Sequence, residues 1–202
     1  HRVDRRQRQM CIRDSSYSMP VQTPICDYGK KALPFELKST ENKVISLDDI
    51  GGENGTLIMF ICNHCPYVKA ITKELVEDCK QLKKIGINSI AICSNDFVNY
   101  PEDSFDNMIK FSNNNQFSFP YLHDDTQEVA KSYGAVCTPD FFGYNKNLEL
   151  QYRGRLRELK NFVPVKDGES DLLRSMKQIA ETGNGPQDQI PSAGCGIKWK
   201  YD

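Results

Sequence analysis

The chain has 202 residues, 39% hydrophobic, 10% aromatic and 26% charged, which is the size and make-up of one globular domain able to bury most of its apolar surface. A formal net charge of −1 gives no general electrostatic footprint for nucleic acid or for an anionic membrane. The longest apolar run, Thr56 to Cys62, falls far short of the ~20 residues that cross a bilayer, so function has to come from a local site.

The opening residues stand apart. The first fourteen hold five Arg and two Asp, leaving −4 on the rest of the chain, and they show neither helical nor strand period. Residues 1–18 are expected to lie outside the fold, either as translated sequence that is not native, with Met19 as the start, or as a basic disordered tail. Neither opening carries the apolar core of a secretory leader. A reducing, cytoplasmic setting is therefore expected, where the eight cysteines serve catalysis, metal binding or packing.

From Leu33 the elements alternate. Phe35–Leu37 and Lys43–Leu47 read as short strands around a polar turn, an N-terminal β extension. Thr56–Cys62 reads as a strand buried on both faces. A long helix follows, with Val68, Ile71, Leu75, Cys79 and Leu82 at steps of three and four, closed by Gly86. Ile87–Cys93 is a second buried strand. Ser104–Phe111 and Thr126–Tyr133 are short helices, the latter stopped by Gly134. Phe141–Tyr144 and Leu148–Tyr152 form a hairpin, and Ser170–Thr182 is the last helix. Parallel crossovers followed by an antiparallel hairpin give an α/β mixed central sheet flanked by helices, the plan of a thioredoxin-like fold. The domain is expected over residues 19–183, with residues 184–202 as a C-terminal tail packed on or near it.

Cys62-Asn63-His64-Cys65 sits where the buried strand gives way to the helix, and Pro66 suits a first helical turn because its missing N–H needs no partner there. A helix N-terminus favours thiolate over thiol. Two residues between cysteines let one sulfur attack a disulfide and the other resolve the mixed disulfide. His64, with Asn63 and Pro66, is expected to tune the pair. A structural zinc site would need more ligands than the motif offers; only isolated cysteines such as Cys137 and Cys195 are left to complete it, so no metal or other cofactor is expected. Cys79 and Cys93 fall on a helix face and a buried strand and read as packing residues. Cys26 lies on a linker, and His123 reads as a surface or loop histidine.

Cys62-Asn-His-Cys-Pro-Tyr-Val68, Ser94-Asn-Asp96, Asn99-Tyr-Pro-Glu-Asp103, Gly134-Ala-Val-Cys-Thr-Pro-Asp-Phe-Phe142, Tyr152-Arg-Gly-Arg155 and Gly194-Cys-Gly-Ile-Lys-Trp-Lys200 together resemble the peroxiredoxin-like branch of the thioredoxin superfamily, over roughly Leu33 to Lys200. Leu156 to Gly168 departs from that family, which tends to place an acidic pair after Arg-Gly-Arg. The resemblance implies a cis Thr138-Pro139 step whose preceding backbone pairs with substrate, making Cys137, Thr138 and Pro139 a substrate-binding segment. It also implies an auxiliary role for Arg153, with Arg155 beside it. Cys195, in the tail beside Trp199, reads either as a thiol that folds back to resolve or as a residue with a packing role or none.

The activity expected is thiol–disulfide exchange, with Cys62 attacking from the mouth of the site and Cys65, one turn deeper, resolving. Its partners would be protein or small-molecule disulfides and a thiol electron donor. The alternative is a peroxidase acting on hydroperoxides. There Cys65-Pro66 falls on the Cys-Pro of the peroxiredoxin pattern Thr-x-x-Cys-Pro and Cys62 replaces its threonine. A third reading is a redox-sensing or metal-binding module.

Overall fold

The computed structural model describes residues 19–201, and the tail expected over residues 1–18 lies outside the described residues. Seven strands form one mixed sheet. At its centre is β4 (Gly55–Phe60), buried along its whole length. It pairs in parallel with β5 (Ile87–Cys93) and antiparallel with β8 (Asp140–Tyr144). Beyond β5 the sheet continues through β6 (Tyr121–His123), β2 (Glu36–Ser39) and β3 (Val44–Ser46); beyond β8 it ends in β9 (Leu150–Tyr152).

The continuous apolar run of β4 is explained by the layers on both sides. Successive side chains of a strand point to opposite faces. Leu57 and Met59 enter a core with α2 (Pro66–Lys84) and α5 (Asp171–Thr182). Ile58 and Phe60 enter a second core with Tyr133 of α4 (Glu128–Tyr133) and with Phe142. The remaining helices are the short α1 (Leu47–Ile50) and α3 (Phe105–Asn114). Ser104 and Ser170 cap α3 and α5, each side-chain oxygen accepting a backbone N–H three residues on. Gly134 and Gly183 end α4 and α5 in the left-handed conformation that glycine adopts without a Cβ penalty.

The fold is thioredoxin-like, as the element order implies, with differences in detail. Leu47 opens α1 instead of closing a strand. Strand β6 has three residues and carries too little pattern to be read alone, yet it joins the N-terminal β2–β3 pair to the parallel strands. Within Leu156–Gly168 a two-residue hairpin forms from β10 (Leu159–Lys160) and β11 (Val163–Pro164).

The C-terminal tail is part of the structure. Strand β12 (Ala193–Gly196) lies between β1 (Val21–Gln22) and β7 (Cys137–Thr138), antiparallel to both. The Asp96 N–H donates to Lys198 O at 2.8 Å, and Lys198 N–H donates to Asn95 Oδ1 at 2.9 Å. Gln127 Nε2 donates to the same Lys198 carbonyl at 2.8 Å. Among the described residues, no helix is long and apolar enough to cross a membrane.

Candidate functional site

Strand β4 ends at Phe60, and the Ile61 N–H still donates to Ile92 O at 3.0 Å. Cys62, Asn63 and His64 cross the gap, Cys65 takes the N-cap position of α2, and Pro66 opens the helix. Both cysteines face one residue of the neighbouring loop. Cys62 Sγ lies 3.5 Å from Thr138 Oγ1, and Cys65 Sγ lies 3.3 Å from the Thr138 carbonyl oxygen. The Thr138–Pro139 peptide is cis.

Behind the cysteine loop sits a fully buried carboxylate, Asp103. It accepts from the Asn63 N–H at 2.8 Å and from Asn95 Nδ2 at 2.9 Å, and it meets His64 Nδ1 at 2.7 Å. Asn63 is held at both ends of its amide: Tyr121 Oη donates to Oδ1 at 2.8 Å, and Nδ2 donates to Glu102 O at 3.1 Å. The His64 ring lies nearly parallel to Tyr100, at 9° with centroids 6.2 Å apart. Sequence reasoning did not single out Asp103, Asn95 or Tyr121 as site residues. The first two stand in stretches quoted for the family resemblance, and Tyr121 carried no signal of its own.

Burial and neighbouring groups shift the two thiols in opposite directions. Cys62 is 1% exposed, and burial pushes its thiol well above the ordinary value; its hydrogen bond with Cys65 and the Asp103 charge raise it further. Burial also pushes up Cys65. That push is outweighed by the Cys195, Cys62 and Thr138 side chains and by the Val68 backbone N–H, which lower its thiol, although at 3.3 Å the Thr138 carbonyl oxygen is an acceptor that only the protonated sulfur can satisfy. No cap hydrogen bond closes from the Cys65 side chain, and the Val68 amide acts through its dipole. Cys62, expected at the open mouth of the site, is 1% exposed, and Cys65 is 0% exposed. The helix begins at Pro66, so Cys65 holds the N-cap, while the Cys62 sulfur lies within 4.8 Å of a buried carboxylate oxygen of Asp103.

The other expected site residues divide. Thr138 and Pro139 are at the cysteines. Cys137 and Thr138, however, have their backbone edge occupied by β12, which pairs Gly196 with Cys137 and Cys195 with Thr138. The edge that the resemblance reserves for substrate is thus filled by the chain itself. The buried Cys137 sulfur lies 3.5 Å from Pro139 O, and burial raises its thiol. Arg153 is not brought to the cysteines. Its Nε and Nη2 donate to the two Asp140 oxygens at 3.1 and 2.9 Å, and its guanidinium lies 4.2 Å over the Phe142 ring. Arg155 pairs with Asp171 at 2.7 Å. Cys79 and Cys93 are core residues as expected. His123 is packed between Phe97 and Phe105 instead of lying free on the surface.

Ligand atoms of Cys62, His64 and Asp103 lie within 4.8 Å of one another. The Asp103 oxygens also receive the Asn63 N–H and Asn95 Nδ2 besides His64. The described cysteines are all free thiols.

A strand–helix dithiol facing a cis-proline loop on this sheet defines a protein of the thioredoxin-fold redox class. The chain belongs to the AhpC/TSA family, whose model matches residues 28–159, and is an oxidoreductase of the redoxin type. An uncharacterized conserved protein from Geobacillus kaustophilus is 41% identical, with a TM-score of 0.84 over 91% of this chain and 98% of that one. A hypothetical protein from Sinorhizobium meliloti 1021 is 30% identical, with a TM-score of 0.83 over 90% of this chain and 99% of that one. The thioredoxin domain of a thiol-disulfide oxidoreductase from Bacteroides vulgatus shares the fold at 17% identity, with a TM-score of 0.53 over 66% of this chain and 89% of that one. No curated protein matches the chain significantly.

Proposed function

We propose that the protein is a thiol–disulfide oxidoreductase whose Cys62/Cys65 pair cycles between dithiol and disulfide, with Cys65 as the attacking thiolate. The observation that carries this reading is that both sulfurs lie against Thr138, at 3.5 and 3.3 Å, in a loop held by the buried Asp103. Cys65 attacks one sulfur of a disulfide RSSR, the S–S bond breaks, and one RS⁻ leaves and takes up a proton. Cys62 then loses its proton and attacks the Cys65 sulfur. The second RS⁻ leaves, and the Cys62–Cys65 disulfide forms. Two protein thiols are oxidised and RSSR is reduced to two thiols; an external dithiol returns the electrons. Asp103 and His64, within 4.8 Å of the Cys62 sulfur, are placed to take the proton that a raised thiol gives up reluctantly.

The peroxidase reading draws on one specific feature, the thiolate preference of Cys65 in front of Pro66. Arg153, the cation the resemblance offers to polarise the peroxide, is committed to Asp140.

One experiment decides between the two. Reduced protein and its Cys65→Ser and Cys62→Ser variants are mixed separately with a small aromatic disulfide and with hydrogen peroxide. Disulfide reduction lost in Cys65→Ser, with a first leaving thiolate still released by Cys62→Ser, supports the proposal. Faster consumption of peroxide than of disulfide by the parent, lost with Cys65, would replace it with the peroxidase.

A further inference from the structure

We infer that Cys195 is a third redox thiol of the site, able to resolve Cys65 in place of Cys62; this rests on the reading of Cys65 as the attacking thiolate. Strand β12 sets Cys195 directly opposite Thr138 in antiparallel register, and Thr138 is the residue whose carbonyl lies 3.3 Å from the Cys65 sulfur. Cys62, Cys65 and Cys195 share one buried cluster, with Cys195 only 2% exposed. The Cys195 and Cys62 side chains both act on Cys65 and lower its thiol.

The strand is fitted closely to this position. A Cβ on Gly194 would come within 2.0 Å of the Thr138 carbonyl oxygen, so a side chain there would push β12 and its cysteine away from the loop. On the N-terminal side Ser192 Oγ donates to Pro139 O at 2.7 Å, and the Thr23 N–H donates to Ser192 O at 3.0 Å. On the C-terminal side the Ile197 N–H donates to Val136 O at 3.2 Å. Cys195 is thus clamped from both ends, unlike a thiol on a loose tail. An open groove of about 230 Å³, lined by Tyr67, Ile71, Pro139, Ser192 and Ala193 among others, adjoins the cis-proline loop and the residues just before Cys195. The pairing edge of Cys137–Thr138 is already filled by β12.

The step is a second thiol–disulfide exchange. With Cys65 held as Cys65–S–S–R, Cys195 loses its proton and its sulfur attacks the Cys65 sulfur. The bond to SR breaks, RS⁻ leaves and takes the proton, and a Cys65–Cys195 disulfide remains. Attack of Cys62 on that disulfide would then release Cys195 and give the Cys62–Cys65 disulfide with no net redox change. Oxidation could therefore pass among three sulfurs within one chain.

The test uses the full chain as Cys62→Ser and as Cys62→Ser/Cys195→Ser, each treated with one equivalent of an aromatic disulfide, quenched with acid and mapped by mass spectrometry without reduction. The expected result is a Cys65–Cys195 link in Cys62→Ser and a persistent aryl adduct on Cys65 in the double variant, with release of the second leaving thiolate slowed at least about tenfold. A persistent adduct on Cys65 in Cys62→Ser, with no link to Cys195, overturns this inference and leaves the Cys65 reading standing. No adduct on Cys65 in either folded variant overturns both. Cys62→Ala serves in the same way should Cys62→Ser fail to fold.

Discussion

Asp103 and His64 meet at 2.7 Å, a fully buried carboxylate against the Nδ1 of a ring that is itself mostly covered. The contact turns the two residues between the cysteines into part of a hydrogen-bonded network, and it places a negative charge where the Cys62 thiol must ionise.

That charge is among the causes that raise Cys62. In a Cys65→Ser background, where the two thiols are uncoupled, Asp103→Asn is expected to lower the apparent pKa of Cys62. The pH dependence of Cys62 alkylation, followed by mass spectrometry, measures it. A profile that stays put or moves to higher pH would show that the carboxylate does not set the Cys62 equilibrium.

Cys65 should behave in the opposite way. An ordinary thiol alkylates about tenfold faster for each pH unit until it ionises near pH 8.5. Because its neighbours hold Cys65 well below the ordinary value, its alkylation rate is expected to be nearly flat from about pH 5 to about pH 8. Only the shape of the profile matters, since burial slows the absolute rate at every pH. A tenfold rise per unit over that window would refute the thiolate assignment.

Arg153 is expected to matter for stability. It is 7% exposed and answers Asp140, which is 0% exposed and pushed up by burial despite the pairing. Arg153→Ala would leave that carboxylate buried without its partner, a loss of about 3–5 kcal/mol, read from the urea midpoint. Asp140→Asn combined with Arg153→Ala should recover part of it. Full stability in Arg153→Ala would contradict the pairing.

Asp78 supplies a pH-dependent term of known sign. Burial pushes its carboxyl up to about 6 against the opposing hydrogen bond of Ser170 Oγ, which donates at 2.6 Å. A raised carboxyl contributes its stability fully below the ordinary value of 3.8 and loses it as pH rises through about 6. Asp78→Asn keeps an acceptor for Ser170 and removes the ionisation. It is expected to flatten stability between about pH 4 and pH 6 and to stabilise the protein at neutral pH by on the order of 1 kcal/mol. Thermal melts across that range decide it.

Much of this molecule is local in origin. The apolar run of β4, the three- and four-residue spacing of α2, Pro66 at its start and the glycine stops are short-range patterns, and each maps onto one element because backbone periodicity is set within a few residues. The Cys62–Cys65 junction is legible for the same reason. The order of the two thiols is not. It turns on Asp103, 41 positions beyond Cys62 in the chain, on Thr138, and on Cys195, which the sequence offers as a tail thiol without saying what it would meet. Arg153 shows the converse: a charged residue beside a glycine reads like a site residue until Asp140 and the Phe142 ring are found around it. Burial and charge act through space, so which groups surround each sulfur was decided when β7 and β12 closed against the start of α2.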